Sequence, residues 1–236
     1  SLMARPNILL FVADGMQGAV LAPGHPCQMP NLRRLMAAGV TVTQAYTPLP
    51  TCSPARASLM TGLLPHNHGM LTVEHTVAPD QSVLRRDKAH FAQHLQGAGY
   101  QTAYFGKWHV ERQLDLEFFG WALDASSSGK QHRQSSERGM AAEAPLLPGL
   151  FRYLQGPAGY RDTLHYGVTP QPLAERSLSR TTERAVAFLS QAPAEPWCAC
   201  VSYFEPNEAM LVSEEFFRLY DPASLPLPTS LQDPLT

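Results

Sequence analysis

Apolar residues in this chain occur as short continuous runs that alternate with segments of helical period. Residues 7–13 (NILLFVA) form one continuous run, and residues 197–204 (WCACVSYF) form another. Runs of this length are typical of strands that are buried on both faces, as in a parallel sheet. Residues 101–105 are a third predicted strand, and the alternation of residues 40–46 predicts a fourth.

Three other segments have the spacing of amphipathic helices. Residues 30–38 begin with proline and end before a glycine, and they carry Leu35 on their apolar face. Residues 89–98 also end before a glycine, and residues 178–189 place Val186 on their inner face. Residues 123–139, by contrast, are rich in polar residues and predict a surface loop, which either connects elements or shapes a substrate entrance.

Strands that alternate with helices predict an α/β fold with a mainly parallel central sheet flanked by helices. The length of 236 residues suits one domain, residues 1–236. Ligands of such folds bind beyond the carboxyl ends of the strands. Asp14, residues 107–109 and residues 205–207 each follow a predicted strand, so we expect them to converge on one pocket.

Composition and charge exclude several classes of partner. The formal net charge is −2 and 44% of residues are hydrophobic, which gives no electrostatic reason for binding nucleic acid or a membrane surface. No apolar run has the length of a membrane span. We therefore expect neither nucleic acid nor membrane as a partner.

The four cysteines do not form a disulfide framework. Cys198 and Cys200 alternate on one predicted strand and face the same side, a poor geometry for bridging each other. They also lack a second ligand pair at the spacing of a zinc site. With Cys27 and Cys52 as the others, the pattern favours a reducing compartment and a cytoplasmic protein, although a trimmed signal peptide would leave the same sequence.

Residues 52–62 (CSPARASLMTG) carry the clearest candidate chemistry. Pro54 suits the first turn of a helix, Ser53 can cap that helix, and Gly62 can end it. Cys52 then lies at a helix N-terminus, where free N–H groups and the helix dipole favour an anion. Arg56 lies one turn further on and can brace the side chain at position 52 or a bound anion.

The same segment has the pattern C-x-P-x-R-x-x-x-x-T-G, which resembles the signature of the sulfatase family. Residues 5–14 (RPNILLFVAD), 62–70 (GLLPHNHGM) and 105–109 (FGKWH) resemble further family segments in the same order. The family belongs to the alkaline-phosphatase-like superfamily. The resemblance implies the N-terminal part of a catalytic domain that cleaves a small-molecule sulfate ester to alcohol and sulfate.

The resemblance also implies roles for individual residues. Cys52 is oxidised to formylglycine by a formylglycine-generating enzyme, and the hydrated aldehyde is the nucleophile. Asp14 and the residue at position 52 hold a divalent metal, Ca²⁺ by preference, with Mg²⁺ and Mn²⁺ as alternatives. Arg56, Lys107 and His109 surround the sulfuryl group, and His109 takes the proton from the second hydroxyl.

Three departures from the family pattern leave other functions open. Asp14 is followed by Gly15 where many sulfatases have a second acid, and Asn207 stands where the family usually has a histidine. Asn207 can bind substrate through its amide, but an amide is not a general acid at neutral pH. The chain is also short for the family, and no second pair of metal ligands stands out after Asn207.

The alternatives are therefore an enzyme with another substrate and a protein without catalysis. Related phosphonate monoester or phosphodiester hydrolases share the aldehyde chemistry, and a single acid at Asp14 agrees with them. A truncated, non-catalytic sulfatase-like protein would bind an anion or a partner and keep an unmodified Cys52. Nearby, we expect Trp108 to be core and His66 and His68 to be structural.

Overall fold

The computed structural model describes residues 5–127, 145–157, 162–191, 193, 196–207 and 209–227. Seven strands occur in these ranges: β1 (Ile8–Asp14), β2 (Gln101–Gly106), β3 (Leu123–Ser126), β4 (Phe151–Leu154), β5 (Thr163–Thr169), β6 (Trp197–Pro206) and β7 (Met210–Ser213). Six α-helices occur in the same ranges: α1 (Pro30–Ala38), α2 (Cys52–Thr61), α3 (Pro65–His68), α4 (Phe91–Gly97), α5 (Ser177–Ser190) and α6 (Glu214–Phe217).

The chain divides into two compact units. The first comprises Ser1–Gly15, Val42–Met140 and Arg176–Asn207, and the second Met16–Thr41, Ala141–Glu175 and Glu208–Thr236.

A four-stranded sheet in the order β1-β6-β2-β3 forms the centre of the first unit, and all its pairs are parallel. The predicted α/β class with a parallel sheet is therefore confirmed. Because the strands run in one direction, their carboxyl ends meet at one edge. Asp14 at the end of β1 is the register partner of Pro206 at the end of β6. Gly106 at the end of β2 is the register partner of Ser202, which also belongs to β6.

Each face of this sheet packs into its own apolar cluster. On one face, Tyr104 of β2 and Cys200 of β6 pack with Trp108 and Trp121. On the opposite face, alternate residues of the same strands pack against α5, which contributes Phe188. Cys198 lies in the first cluster with Cys200, and both are free thiols, in agreement with the predicted common face.

Several local predictions need correction. Residues 40–46 form no strand, and Val40 is 92% exposed, because an alternating pattern cannot by itself supply a neighbouring strand. Residues 7–13 do form a strand, but it is not buried on both faces, since Phe11 is 59% exposed. On α5 the buried side chains are Ala185 and Phe188, and Val186 of the predicted inner face is exposed. Residues 128–139 of the predicted surface loop lie outside the described residues, while residues 123–126 of it form β3.

The second unit contains a three-stranded sheet in the order β4-β5-β7. The pair β4–β5 is antiparallel and the pair β5–β7 is parallel. Helix α1 has the predicted bounds, and its C-cap is Gly39. No residue of α1 is fully buried, and Leu35 of its predicted apolar face is 64% exposed.

In the part of the chain that the structure describes, no helix combines the length and apolar character of a membrane span.

Candidate active site

Asp14, Cys52, Arg56 and Lys107 meet at the carboxyl edge of the first unit's sheet. Asp14 is the last residue of β1, and Lys107 directly follows β2. Cys52 and Arg56 come from the first turn and a half of α2. The convergence expected from the strand ends is therefore present for Asp14 and Lys107. We call Asp14, Arg56 and Lys107 the strand-end cluster.

The chain reaches Lys107 through a position that requires glycine. Gly106 has φ +83°, and a Cβ atom there would lie 1.9 Å from the carbonyl oxygen of Ser202. That close approach lets the Lys107 N–H donate to the same carbonyl at 2.9 Å. The Lys107 carbonyl in turn accepts from Tyr104 Oη at 2.6 Å, so the backbone is held on both sides where it leaves the sheet.

Cys52 is the first residue of α2, and its thiol faces Asp14 and Lys107 of the strand-end cluster. Thr51 is the N-cap residue and makes no side-chain capping bond, so the predicted cap at Ser53 does not form. Cys52 Sγ lies 3.7 Å from Asp14 Oδ1 and 3.7 Å from Lys107 Nζ. The residue expected to be the nucleophile thus lies at a helix N-terminus and beside an ammonium group.

Asp14 is held by two cations. Its Oδ2 pairs with Lys107 Nζ and lies 3.2 Å from Arg56 Nη2. Burial by itself raises the pKa of the carboxyl, but hydrogen bonds and charge from Lys107 and Arg56 outweigh it and leave the pKa lowered. Asp14 is therefore ionised at neutral pH, and its Oδ1 remains directed towards Cys52.

Arg56 binds the scaffold rather than position 52. Besides Asp14, its guanidinium donates to Ser202 Oγ at 2.8 Å and to the Lys107 carbonyl at 3.1 Å. The side chain is 6% exposed. No hydrogen bond between Arg56 and Cys52 occurs in the described part of the chain, and the polar contacts of Arg56 hold Asp14 and the backbone at Lys107.

Among the described residues, no hydrogen bond or ion pair joins His109 to the strand-end cluster. β2 ends at Gly106, and His109 has φ +49°, an uncommon backbone conformation for a non-glycine residue. Its Nε2 lies 3.3 Å from Glu74 Oε1 and 3.2 Å from His75 Nδ1. We call Glu74, His75 and His109 the histidine cluster.

Glu74 anchors the histidine cluster to the start of α2. Its Oε2 accepts a short hydrogen bond from the Oγ of Ser53, which is the residue after Cys52. Burial raises the pKa of Glu74, but hydrogen bonds from His109 and Ser53 outweigh it and bring the pKa to about 2. The carboxylate is thus charged and faces the imidazole of His109.

Sequence reasoning missed Glu74, His75 and Ser202. Glu74 and His75 belong to a 3₁₀ turn, Glu74–Thr76, in a stretch without a strong periodic signal. Ser202 lies inside an otherwise apolar strand, and its polar side chain was the one sign in the sequence that it has a polar partner. Only the folded chain shows that its hydroxyl meets Arg56.

Asn207 and Gly15 are neighbours beyond the ends of β6 and β1. A Cβ atom built on Gly15 would lie 3.5 Å from the Asn207 Cα, and Gly15 has φ +71°. That backbone conformation favours glycine over the second acid found in many sulfatases. The amide of Asn207 therefore lies next to the residue that follows Asp14.

The burial of Trp108 and His68 agrees with the structural roles predicted for them. Trp108 is fully buried in the first apolar cluster. His68 is also fully buried, and its ring nitrogens contact Ser58 Oγ at 2.9 Å and the Met70 N–H at 3.1 Å. Burial lowers the pKa of His68, while His66 is exposed.

Comparison with known proteins identifies a family. The sulfatase family model matches residues 6–222. The uncharacterized sulfatase YidJ of Escherichia coli K12 is 29% identical over 245 residues, an alignment that covers 99% of this chain and 45% of YidJ. The chain thus spans less than half the length of this curated relative.

Two solved structures share the fold. The phosphonate monoester hydrolase of Agrobacterium radiobacter has a TM-score of 0.66 and 22% identity, over 94% of this chain and 45% of that one. The protein BT4656, solved with its substrate D-glucosamine-2-N,6-O-disulfate, has a TM-score of 0.62 and 21% identity, over 96% of this chain and 40% of that one. Both likenesses support the predicted alkaline-phosphatase-like fold.

Proposed function

Because this chain belongs to the sulfatase family, we propose that it hydrolyses a sulfate ester to an alcohol and inorganic sulfate through a formylglycine made from Cys52. The proposal is carried by the place of Cys52 at the first residue of α2, with Sγ 3.7 Å from Lys107 Nζ. A helix N-terminus and an ammonium group beside one side chain suit an anionic sulfuryl group.

Formylglycine, once formed, supplies a hydrated aldehyde with two hydroxyl groups. One hydroxyl is the nucleophile that attacks sulfur, and the second must lose its proton before sulfate is released. Lys107 neutralises charge on the sulfuryl oxygens as the bond from sulfur to the alcohol oxygen breaks. Arg56 keeps that ammonium group in place through Asp14 and the Lys107 carbonyl. The net reaction consumes one water and yields the alcohol, sulfate and one proton.

His109 is the proposed acceptor of the proton from position 52. Its Nε2 faces the Glu74 carboxylate at 3.3 Å, which stabilises the imidazolium once it forms. Its Nδ1 is buried and has no hydrogen-bond partner among the described residues. Nδ1 is therefore the ring atom free to take the proton.

Asp14 is the proposed protein ligand of a divalent ion, together with the oxygen of the modified residue 52. Its Oδ1 faces Cys52, which fits one bond to an ion there. Calcium takes six to eight oxygens, and the described residues offer no second carboxylate at Cys52. The donors present do not complete such a site, so we assign no step to the ion. Ca²⁺ is proposed over Mg²⁺ or Mn²⁺.

A phosphonate monoester or phosphodiester hydrolase is the second candidate function. It is favoured by Gly15, whose positive φ leaves Asp14 as the single acid at the end of β1. The likeness to the Agrobacterium enzyme agrees with it but is no stronger than the evidence for sulfatases. Asn207, proposed to bind substrate through its amide, is compatible with either anion.

A paired measurement on the protein purified from its own source tests these functions. The mass of the peptide carrying position 52 is determined, and hydrolysis of an aryl sulfate is compared with that of the matching aryl phosphonate monoester. We expect an aldehyde at position 52 and faster cleavage of the sulfate. A faster phosphonate reaction would establish the second function. An intact thiol without hydrolysis of either compound would leave a non-catalytic anion-binding protein.

A matched pair of cysteine variants completes the test. Cys52→Ala should lower sulfate hydrolysis by roughly 10⁴-fold or more, because the nucleophile is lost. Cys27→Ala removes another half-buried free thiol and should keep full activity. Equal losses in the two variants would contradict the role of Cys52.

We also propose how the protein matures and in which cellular compartment it resides. The partner in maturation is a formylglycine-generating enzyme, and its absence from the expression host should leave the Cys52 thiol unmodified. The four cysteines are all free, which supports a reducing, cytoplasmic setting. Recovery of the protein from a secreted or periplasmic fraction would contradict that setting.

A further inference from the structure

The histidine cluster places three metal-ligating atoms at mutual contact. Glu74 Oε1 lies 3.3 Å from His109 Nε2 and 3.5 Å from His75 Nδ1, and the two ring nitrogens are 3.2 Å apart. Each of the three residues offers one donor atom to this triangle. Asp14, whose Oδ1 is the donor proposed for a calcium-like ion, is not one of these three residues.

The size of this triangle matches one face of a small tetrahedron. Zinc binds imidazole nitrogen at about 2.0–2.1 Å and carboxylate oxygen at about 2.0–2.2 Å, so two ligands of a tetrahedral ion are about 3.4 Å apart. The three measured separations lie within about 0.2 Å of that value. Calcium, with longer bonds and an oxygen preference, suits these donors poorly.

Local structure presents the three donors in a suitable state. Glu74 is charged, and its other oxygen is fixed by Ser53 Oγ, an outer contact that orients a ligating carboxylate. His109 follows the buried Trp108. The His75 side chain is 65% exposed, so the fourth position of the ion can be reached by water.

We propose that Glu74, His75 and His109 bind one Zn²⁺-type ion with three protein ligands and one open position. The donor set of two imidazoles and one carboxylate is typical of zinc and its neighbours in the first transition row. The site differs from the ion site proposed at Asp14 in its residues, its donor atoms and its preferred metal.

Occupancy has a consequence for the reaction, and this consequence rests on the proposed function. A neutral imidazole that binds a metal through Nε2 carries its proton on Nδ1. Nδ1 of His109 is the atom assigned to take the proton from position 52. Zinc at this site therefore removes the base, and we expect it to inhibit turnover.

Zinc binding to the purified protein is the direct test, measured by titration calorimetry in the presence of excess Ca²⁺. We expect one tight site in the wild type. His75→Ala and Glu74→Gln should each weaken it by more than about tenfold, since losing a ligand costs more than losing an outer contact. His66→Ala, which removes an exposed histidine outside the cluster, should bind as the wild type does. Absence of tight binding, or equal binding by all four proteins, would overturn the proposal.

Inhibition by Zn²⁺ of aryl sulfate hydrolysis is the second measurement. His75→Ala should need at least about tenfold more zinc than the wild type for half inhibition, following its loss of affinity. The two proposals can fail separately. Tight zinc binding that depends on His75 in a protein without sulfatase activity would remove the proposed function and keep the metal site. Sulfatase activity in a protein that does not bind zinc would keep the proposed function and remove the metal site.

Discussion

The strand-end cluster and the histidine cluster hold their polar groups in different ways. Lys107 and Arg56 are 4% and 6% exposed, and they surround one carboxylate at the rigid edge of a parallel sheet. His75, by contrast, is 65% exposed and belongs to a short turn. Groups on strands and helices are positioned more precisely than groups on loops. The first cluster is therefore suited to bind a fixed anionic group, and the second to exchange protons or a metal.

Of the two clusters, the strand-end cluster should have the larger effect on activity when it is broken. Lys107→Met removes the ammonium group beside position 52 and one of the two cations on Asp14. We expect kcat/KM for an aryl sulfate to fall by about 10²- to 10³-fold, as for the loss of a group that stabilises transition-state charge. Lys88→Met, at a lysine paired with Asp87 on the surface, is the control and should be unaffected. A Lys107→Met enzyme with near wild-type kcat/KM would place the sulfuryl group elsewhere.

Breaking the histidine cluster at its proposed base should cost less. His109→Gln keeps a polar side chain but removes the proton acceptor, so we expect kcat to fall by about 10²-fold. The exposed His66, changed to Gln, controls for the loss of a histidine as such. A His109→Gln enzyme with near wild-type kcat would mean that His109 does not take the proton.

Adding a titratable group near the strand ends would sharpen the comparison. Asn207→His places an imidazole beyond the end of β6, where the amide cannot donate a proton as an acid does. We expect about a tenfold gain on sulfate esters with poor leaving groups and little change on those with good ones. Rates on a series of aryl sulfates measure this difference. An equal effect across the series would remove leaving-group protonation from this position.

The smallest expected effect concerns stability in acid. The pKa of Glu74 is about 2 in the folded protein against an ordinary value of 4.5. Its contribution to folding is thus complete above about pH 4.5 and is lost as the pH falls from there towards 2. Near neutral pH, we expect Glu74→Gln to lower the free energy of unfolding by on the order of 1 kcal/mol, after allowance for solvent screening.

Urea unfolding at several pH values measures this effect. The difference between wild type and Glu74→Gln should shrink as the pH approaches 2. Glu117→Gln, at an exposed glutamate, should show no such trend. A difference that persists at the lowest pH would mean that the variant acts through packing rather than charge.

Periodicity predicted elements well where both strands of a pair were strongly apolar, and poorly elsewhere. The strands β1, β2 and β6 and the helix at Cys52 were found because local pattern and tertiary context agree. Residues 40–46 have the pattern of a strand without a partner to pair with. The hydrophobic pattern also could not predict that Phe11 and Leu35 are exposed, because an apolar face does not specify what packs against it.

The sequence by itself determined the family, the parallel α/β class and the approach of Asp14, Cys52 and Lys107. Residues at the ends of parallel strands share one edge, and a proline-started helix orients its first residue, so short-range rules suffice. Only the tertiary structure decided that Arg56 braces Asp14 and that Glu74 and His75 join His109. Those contacts link residues 34 to 42 positions apart, and the paths of the segments between them depend on the packing of the whole unit.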